Sequence, residues 1–271
     1  MDDKNGKIIS INNFKGGVSK TSTACLMAYV LSEKKDKKVL VVDLDPQADA
    51  TELLVRTFKP ELLEEDNHLE SKSIYKGITQ TNRKECTINL SDNLDIIPSD
   101  FNLVGLPLEL VPLDSYKKVK VLSMFLDGVR DEYDIVIIDT PPTISDFSNN
   151  AIYACDYSLI VMQTHRRSFR AVDKFTEHLV RFKKTYKNDF DILGIIPVMF
   201  SKQTKTDMTT LKDATDTYNE HVFNHIVKQM ERVKYWDEYG ITEEDHWDKK
   251  TLKEYEALTD EFLDRLEKME G

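Results

Sequence analysis

One short run restricts the fold of this chain more than any other, because it lies between a strand-like and a helix-like segment. Residues 15–21 read Lys-Gly-Gly-Val-Ser-Lys-Thr, with an apolar stretch before them and apolar residues at helical spacing after them. Gly16 and Gly17 allow the backbone to approach a bound group closely, because glycine has no Cβ. Backbone N–H groups at the start of the following helix then converge on an anion. The run therefore predicts a phosphate-binding loop between a strand and a helix.

The side chains of this loop suit a nucleotide bound with a metal ion. Lys20 is expected to reach the β- and γ-phosphates, and Thr21 to bind Mg²⁺ from the first turn of the helix. The standard phosphate loop has glycine where this chain has Phe14 and Ser19, and here a second lysine, Lys15, precedes the glycine pair. That pattern is the deviant Walker A signature. A serine at position 19 costs little if its dihedrals are ordinary and about 1–3 kcal/mol if they are not.

Two further blocks of sequence complete the pattern of a known family. Residues 41–48 read Val-Val-Asp-Leu-Asp-Pro-Gln-Ala, and residues 135–142 read Ile-Val-Ile-Ile-Asp-Thr-Pro-Pro. Together with the loop, these blocks resemble the ParA/Soj partition ATPases of plasmids and chromosomes, a deviant Walker A family related to MinD. The resemblance is good to about residue 200 and loose beyond it. It implies a P-loop ATPase that binds ATP and Mg²⁺ and hydrolyses ATP to ADP and phosphate.

Apolar runs and helical patterns alternate along the chain, and their order predicts the fold class. Strands are expected at residues 7–13, 39–42, 135–138, 159–162 and 192–200, and helices at 20–34, 73–78, 115–130, 167–187 and 205–220. This alternation predicts an α/β fold in which helices flank one doubly wound, mainly parallel sheet. We expect a single P-loop ATPase domain over residues 1–271, with a helical C-terminal portion at about 229–271 packed on it.

Aspartates stand at the ends of two predicted strands, where ligands of such sheets bind. Asp139 ends an apolar run and looks like the Walker B carboxylate that binds Mg²⁺ through its water shell. Asp43 and Asp45 lie on either side of Leu44 and so point to the same side of an extended chain. By resemblance, Asp45 positions the attacking water and Asp43 lies near the metal. Hydrogen bonding to loop amides is the alternative role for both.

Lys15 needs a role of its own, because Lys20 already serves the phosphates of its own subunit. In the family this signature lysine contacts the nucleotide of the partner subunit, so that two subunits enclose two ATP molecules. The resemblance therefore implies an ATP-dependent homodimer with Lys15 and Asp45 as catalytic residues. The predicted nucleotide-binding residues are Lys15, Gly16, Gly17, Val18, Ser19, Lys20, Thr21 and Ser22, with Met199 and Phe200 bordering the adenine or packing in the core. The predicted metal ligands are Thr21, Asp43 and Asp139.

The distribution of charge bears on the partners of the chain. Its net charge of −11 argues against nucleic acid, yet eight basic residues face only two acidic ones between Arg166 and Lys187. Arg166, Arg167 and Arg170 are the predicted DNA-binding residues, and a solvated helix face is the alternative. The resemblance implies non-specific DNA as one partner, with association to the nucleoid in the ATP state. It implies a ParB-like centromere-binding protein, which stimulates hydrolysis, as the other.

Other classes of protein fit the sequence less well. A MinD-like membrane-cycling ATPase is the alternative, but that class holds the bilayer with a basic amphipathic tail, and residues 260–270 are mainly acidic here. A bacterial tyrosine kinase would carry a C-terminal tyrosine cluster, which is absent. Neither a secretory signal nor an apolar run of about 18 residues occurs, so a cytoplasmic protein without membrane contact is expected. The three cysteines are widely spaced and are expected to be buried, which argues against an iron–sulfur carrier.

Overall fold

A seven-stranded sheet organises the fold. The computed structural model describes residues 6–13, 15–64, 68–80, 82–201 and 204–271. The strands are β1 (Lys7–Asn12), β2 (Val39–Asp43), β3 (Ile88–Asn89), β4 (Leu94–Ile97), β5 (Ile135–Asp139), β6 (Tyr157–Gln163) and β7 (Asp191–Val198). Their order across the sheet is β3-β4-β2-β5-β1-β6-β7, and every pairing is parallel except that of β3 with β4. The predicted doubly wound, mainly parallel sheet is confirmed.

Helices cover both faces of this sheet. They are α1 (Lys20–Lys35), α2 (Asp49–Phe58), α3 (His68–Ser71), α4 (Ile74–Thr79), α5 (Arg83–Cys86), α6 (Leu106–Glu109), α7 (Ser115–Lys118), α8 (Val121–Phe125), α9 (Asp146–Ala154), α10 (Arg166–Tyr186), α11 (Lys205–Tyr218), α12 (Glu231–Tyr239) and α13 (His246–Glu270). Short 3₁₀ segments lie at Pro60–Leu63, Phe101–Gly105, Val129–Asp131 and Asn219–His221. Within the described ranges, none of the helices is both long and apolar enough to cross a membrane.

Alternating side chains of each strand enter two separate cores, one on either face of the sheet. Ile9 and Val41 pack on the face covered by α1, α2 and α13. Ile8 and Leu40, one residue earlier in each strand, pack on the face covered by α8, α9 and α10. A strand buried on both faces directs apolar residues to both sides, and all five residues of β2 are buried, the first four of them apolar. This explains why the central strands read as continuous apolar runs in the sequence.

The segment expected to form one helix at residues 115–130 is broken into α7, α8 and a 3₁₀ turn. In a continuous helix the N–H of Leu122 would bond to the carbonyl oxygen of Lys118. The side chain of Asn150 from α9 forms hydrogen bonds with both groups instead. Its Oδ1 accepts from Leu122 N at 3.0 Å, and its Nδ2 donates to Lys118 O at 2.9 Å. The expected helix was wrong because a distant side chain replaces a backbone hydrogen bond.

The other differences from the expected elements concern short strands and turns. The expected irregular region before residue 100 contains β4, whose four residues pair in parallel with β2, and its antiparallel neighbour β3. Strand β7 ends at Val198, two residues before the expected end, because Met199 has a left-handed φ of 55°. The C-terminal portion is two helices, since Gly240 has a φ of 84° and ends α12. Its second helix, α13, packs against α1.

Candidate nucleotide-binding site

The predicted phosphate loop connects β1 in the middle of the sheet to α1. Gly17 has a φ of 69°, in the region that favours glycine. Ser19 has φ 58° and ψ 31°, which is also left-handed, and its side chain makes no capping bond to the helix. This conformation costs a residue with a side chain about 1–2 kcal/mol, so the serine is not in an ordinary region. Phe14, the other departure from the standard loop, lies outside the described residues.

Lys20 and Thr21 begin α1 beside the end of β5. The Lys20 side chain is buried, and burial lowers its pKa, while the nearby carboxylates of Asp139 and Asp45 act in the opposite direction. Thr21 Oγ1 donates a hydrogen bond of 2.8 Å to Asp139 Oδ2. The structure therefore brings together a buried cation, a hydroxyl and two carboxylates at the carboxyl edge of the sheet. Of the other predicted loop residues, Gly16 and Gly17 are exposed, Val18 is buried and Ser22 is half-buried.

Asp139 is fully buried at the end of β5, and its two carboxylate oxygens differ in their contacts. Its Oδ2 accepts from Thr21, whereas its Oδ1 has no hydrogen-bond partner within the described part of the chain. Burial, and then the neighbouring Asp43 carboxylate, raise the pKa of Asp139 to about 8. An unsatisfied buried carboxylate oxygen beside a threonine hydroxyl fits Mg²⁺, which prefers oxygen ligands. The described residues contain no cluster of three His, Cys, Asp or Glu side chains able to hold a metal, so a cation here would also need phosphate or water oxygens.

The buried Asp43 makes the contacts expected of a structural role. Its Oδ1 accepts from Asp45 N at 3.0 Å, and its Oδ2 accepts from Thr51 N at 2.9 Å and from Thr51 Oγ1 at 2.7 Å. Burial raises the pKa of Asp43 to about 6, although these hydrogen bonds oppose the rise. The Thr51 hydroxyl in turn accepts from Ser99 N after β4. Asp43 thus holds α2 to the sheet, and its place among the metal ligands stays a prediction.

Asp45 lies two residues further along, at the rim of the site. It is half-buried, and its Oδ1 accepts from Gln47 N at 3.0 Å in the turn that leads to α2. Its charge acts on both Lys20 and Asp139, so it lies near the buried groups without contacting them through a hydrogen bond. The role of Asp45 in hydrolysis stays a prediction.

Lys15 leaves the loop in a different direction from Lys20. Its Nζ donates to Gln163 Oε1 at 2.9 Å, at the end of β6, and its backbone N donates to Asn13 Oδ1 at 2.9 Å. Neither Gln163 nor Asn13 was singled out from the sequence. Both are polar residues at the carboxyl end of a buried strand, and the rule that singled out Asp139 would have found them.

A cavity of about 80 Å³ lies beside the loop, where the adenine was expected. Met199 lines it, and Phe200, the next residue, is buried and donates its backbone N–H to Val227 O at 3.2 Å. The cavity joins the phosphate loop to the C-terminal portion of the chain, which the sequence did not predict to contribute. Its lining includes Ser19, Ser22, Met199, Met230, Val233 and Tyr255.

The first turn of α10 displays the arginines predicted to bind DNA. Arg166, Arg167 and Arg170 are exposed, and none of them forms an ion pair with another described residue. The turn contains no acidic residue, and it is capped by His165, whose Nδ1 accepts from Arg167 N at 3.1 Å. Basic residues at a helix N-terminus oppose the helix dipole and reduce helix stability. Because α10 follows β6, the arginines lie at the same edge of the sheet as the phosphate loop.

The raised pKa of Asp139 predicts a stability that falls as the pH rises. The folded chain keeps a proton on Asp139 up to about pH 8, whereas the unfolded chain loses it near pH 4. Between about pH 4 and pH 8 the contribution of Asp139 to the free energy of unfolding therefore decreases with pH. Asp139→Asn cannot ionise, so without nucleotide and metal its melting temperature should exceed that of the wild type at about pH 8. The excess should shrink towards about pH 5 in calorimetry.

A matched control separates this effect from a general change in charge. Asp189 is an exposed aspartate far along the chain, and Asp189→Asn should leave the pH dependence of the melting temperature unchanged. An Asp139→Asn excess that stays constant over the whole pH range would show that the carboxyl group does not titrate there.

Known proteins resemble this chain in both sequence and fold. A family described as an AAA domain matches residues 6–192. The sporulation initiation inhibitor protein Soj of Bacillus subtilis is 30% identical over 241 residues, which span 87% of this chain and 89% of Soj. The matched region contains the phosphate loop, both aspartate blocks and the start of α10.

Solved structures with the same fold include nucleotide complexes. A putative plasmid partition protein from Borrelia burgdorferi bound to AMPPNP has a TM-score of 0.79 and 25% identity, covering 96% of this chain and 99% of that one. The cobyrinic acid a,c-diamide synthase of Mycobacterium smegmatis with bound ADP and magnesium has a TM-score of 0.76 and covers 94% of this chain and 93% of that one. At 21% identity the second likeness concerns the fold alone. Nucleotide and magnesium are thus bound by proteins of this fold.

Proposed function

The chain belongs to the ParA/Soj family of partition ATPases, and on that premise we propose that it segregates DNA through a cycle of ATP binding and hydrolysis. In this cycle an ATP-bound homodimer binds DNA without sequence preference, and a ParB-like centromere-binding protein stimulates hydrolysis. One observation carries the proposal: two lysines leave the same loop in different directions. Lys20 is buried beside Asp139, whereas Lys15 extends to Gln163 at the end of β6. In the proposed cycle Lys20 is the cation for the subunit's own nucleotide and Lys15 is the cation for the partner's.

In this proposal the described residues supply the groups that bind and hydrolyse a nucleoside triphosphate. The amides of residues 16–21 would surround the phosphates, with Lys20 against the β- and γ-phosphates. Adenine would enter the cavity lined by Met199. Thr21 and Asp139 would hold Mg²⁺, which neutralises phosphate charge when bound. Asp45 at the rim would orient the attacking water, and Lys15 of the other subunit would stabilise the charge that develops on the transferred phosphate.

DNA binding by an acidic protein needs a local concentration of positive charge. The exposed arginines of α10 provide it, and their position against the helix dipole is explained by an anionic partner better than by helix stability. A dimer presents two such faces, and two weak sites held in one body reinforce each other. DNA binding therefore depends on the nucleotide through dimerisation, and the ATP-bound protein associates with the nucleoid.

The end of α13 argues against the membrane-cycling alternative. Glu270 accepts a hydrogen bond from the Tyr157 hydroxyl at 2.6 Å and forms an ion pair with Lys7. These contacts attach the last turn of the helix to the sheet, so it is not a separate amphipathic segment available to a bilayer. The acidic residues of this turn would also be repelled by anionic lipid.

Asp45→Ala provides a test, because it should separate ATP binding from hydrolysis. Without a group to orient the water, hydrolysis should slow about 100-fold or more, while ATP and Mg²⁺ still bind. The dimer would then persist, and DNA should co-sediment with the variant in ATP but not in ADP or without nucleotide. Phosphate release, light scattering and co-sedimentation measure the three steps on the same preparation.

Asp49→Ala is the matched control, since Asp49 is an exposed carboxylate on the same segment. It should leave hydrolysis close to that of the wild type. If Asp45→Ala fails to bind nucleotide, Asp45 belongs to the metal shell. If wild-type protein binds DNA equally well with ATP, ADP and neither, the proposed cycle is wrong.

A further inference from the structure

Lys15 is held within its own subunit by two polar contacts. Its ammonium group donates to Gln163 Oε1, and its backbone N–H donates to Asn13 Oδ1, both at 2.9 Å. Asn13 is buried, and its Nδ2 donates to the Val161 carbonyl of β6, so the start of the loop is fixed to that strand. Lys15 itself is half-buried. The lysine that is proposed to act on a partner's nucleotide is thus directed to a strand of its own subunit.

Both residues that hold Lys15 also contact the first turn of α10. The backbone N–H of Gln163 donates to Ser168 Oγ at 3.2 Å, and Asn13 Nδ2 lies 3.5 Å from the same oxygen. Ser168 is fully buried and follows Arg166 and Arg167 directly in the chain. A short series of hydrogen bonds therefore connects the ammonium group of Lys15 to the turn that displays the basic residues.

The contact between Lys15 and Gln163 is weak enough to be replaced by a contact between Lys15 and a phosphate. The Gln163 amide oxygen is neutral, so it binds an ammonium group less strongly than a phosphate oxygen does. A lysine that reaches across to another subunit must give up an acceptor on β6 of its own. When Lys15 leaves, Gln163 loses its side-chain partner while its backbone still bonds to Ser168.

We propose that Gln163 is a positioning residue that retains Lys15 in the free subunit. Transfer of Lys15 to the partner's nucleotide releases the Gln163 side chain, so the strength of this contact sets how much ATP is needed to form the dimer that presents the DNA-binding arginines. This inference rests on the proposed function, because it needs a partner nucleotide for Lys15. It adds the residue that sets the balance between the free and the dimeric state.

Replacements of Gln163 that change its hold on Lys15 in opposite directions test the inference. Gln163→Ala removes the acceptor, so the ATP concentration for half-maximal dimerisation should fall several-fold in light scattering. Gln163→Glu creates an ion pair with Lys15 and should raise that concentration several-fold. Gln163→Met keeps the length of the side chain without an acceptor and should behave like the alanine variant. The ATP concentration for half-maximal DNA co-sedimentation should shift in the same order.

A second measurement tests the contact without nucleotide or dimer. Gln163→Glu should raise the melting temperature of the nucleotide-free protein at low salt, and the rise should vanish in a Lys15→Ala background. If the increase persists in that background, Gln163 does not act through Lys15 and the inference fails. It also fails if all three variants shift dimerisation in one direction or not at all while the wild type dimerises normally. In these cases the proposed function stands, whereas a wild type that never dimerises with ATP overturns both.

Discussion

Lys15→Ala is expected to reduce ATP hydrolysis by about 1,000-fold or more, because a cation supplied from another subunit contributes that much to phosphoryl transfer. The replacement removes a half-buried side chain whose contact is to a neutral amide, so the fold should remain intact. ATP should still bind to the single subunit through Lys20 and the loop amides. The ATP-dependent dimer should weaken, since it loses a contact to each nucleotide. Phosphate release and light scattering measure the two effects.

Lys20→Ala is the informative comparison for this experiment. Lys20 is the buried lysine of the same loop, and its removal should abolish nucleotide binding itself. The two variants therefore differ in the step that they stop, although both remove one positive charge. Normal turnover by Lys15→Ala would exclude the mechanism in which each subunit completes the site of the other.

Replacing Arg166, Arg167 and Arg170 together by glutamate should abolish DNA binding while ATP-driven dimerisation continues. Each arginine that neutralises a phosphate releases a counterion, and this adds about 0.9 to the slope of log affinity against log salt. Loss of all three should remove about 3 from that slope per subunit and lower the affinity about 1,000-fold or more at low salt. Binding to fluorescent duplex DNA, titrated at several salt concentrations, measures both quantities.

The control keeps the change in total charge but moves it elsewhere. Lys249, Lys250 and Lys253 are exposed on α13, and their replacement by glutamate alters the net charge by the same amount. This control should lower the affinity for DNA only slightly and leave the salt slope unchanged. If the arginine variant keeps the wild-type slope, the first turn of α10 is a solvated face and another surface contacts DNA.

The parts of the site that could be predicted from sequence are those that local chemistry determines. Strand β1, the loop and α1 occur within one residue of their predicted bounds, because an apolar run, a glycine pair and a helical repeat follow directly on each other. Asp139 was predicted at the end of β5 because a polar residue after a buried strand must lie at the edge of the sheet.

The remaining features depend on residues that are distant in the chain. Gln163 approaches Lys15 only because β6 lies next to β1, and no local pattern encodes that neighbour. The left-handed conformation of Ser19 could not be read from its residue type, which usually avoids that region. Strand β4 is four residues long and is recognisable only by its pairing with β2.

The interruption of the helical segment by Asn150 has a consequence for how the chain acquires its structure. Leu122 reaches its acceptor across 28 residues, so in the folded chain this amide is satisfied by a residue outside 115–130. A nascent chain that has emerged only as far as α8 can form a continuous helix there with its ordinary backbone bonds. In the folded chain the Asn150 side chain of α9 takes the place of one of those bonds. The final shape of this segment therefore requires the helix that follows it along the chain.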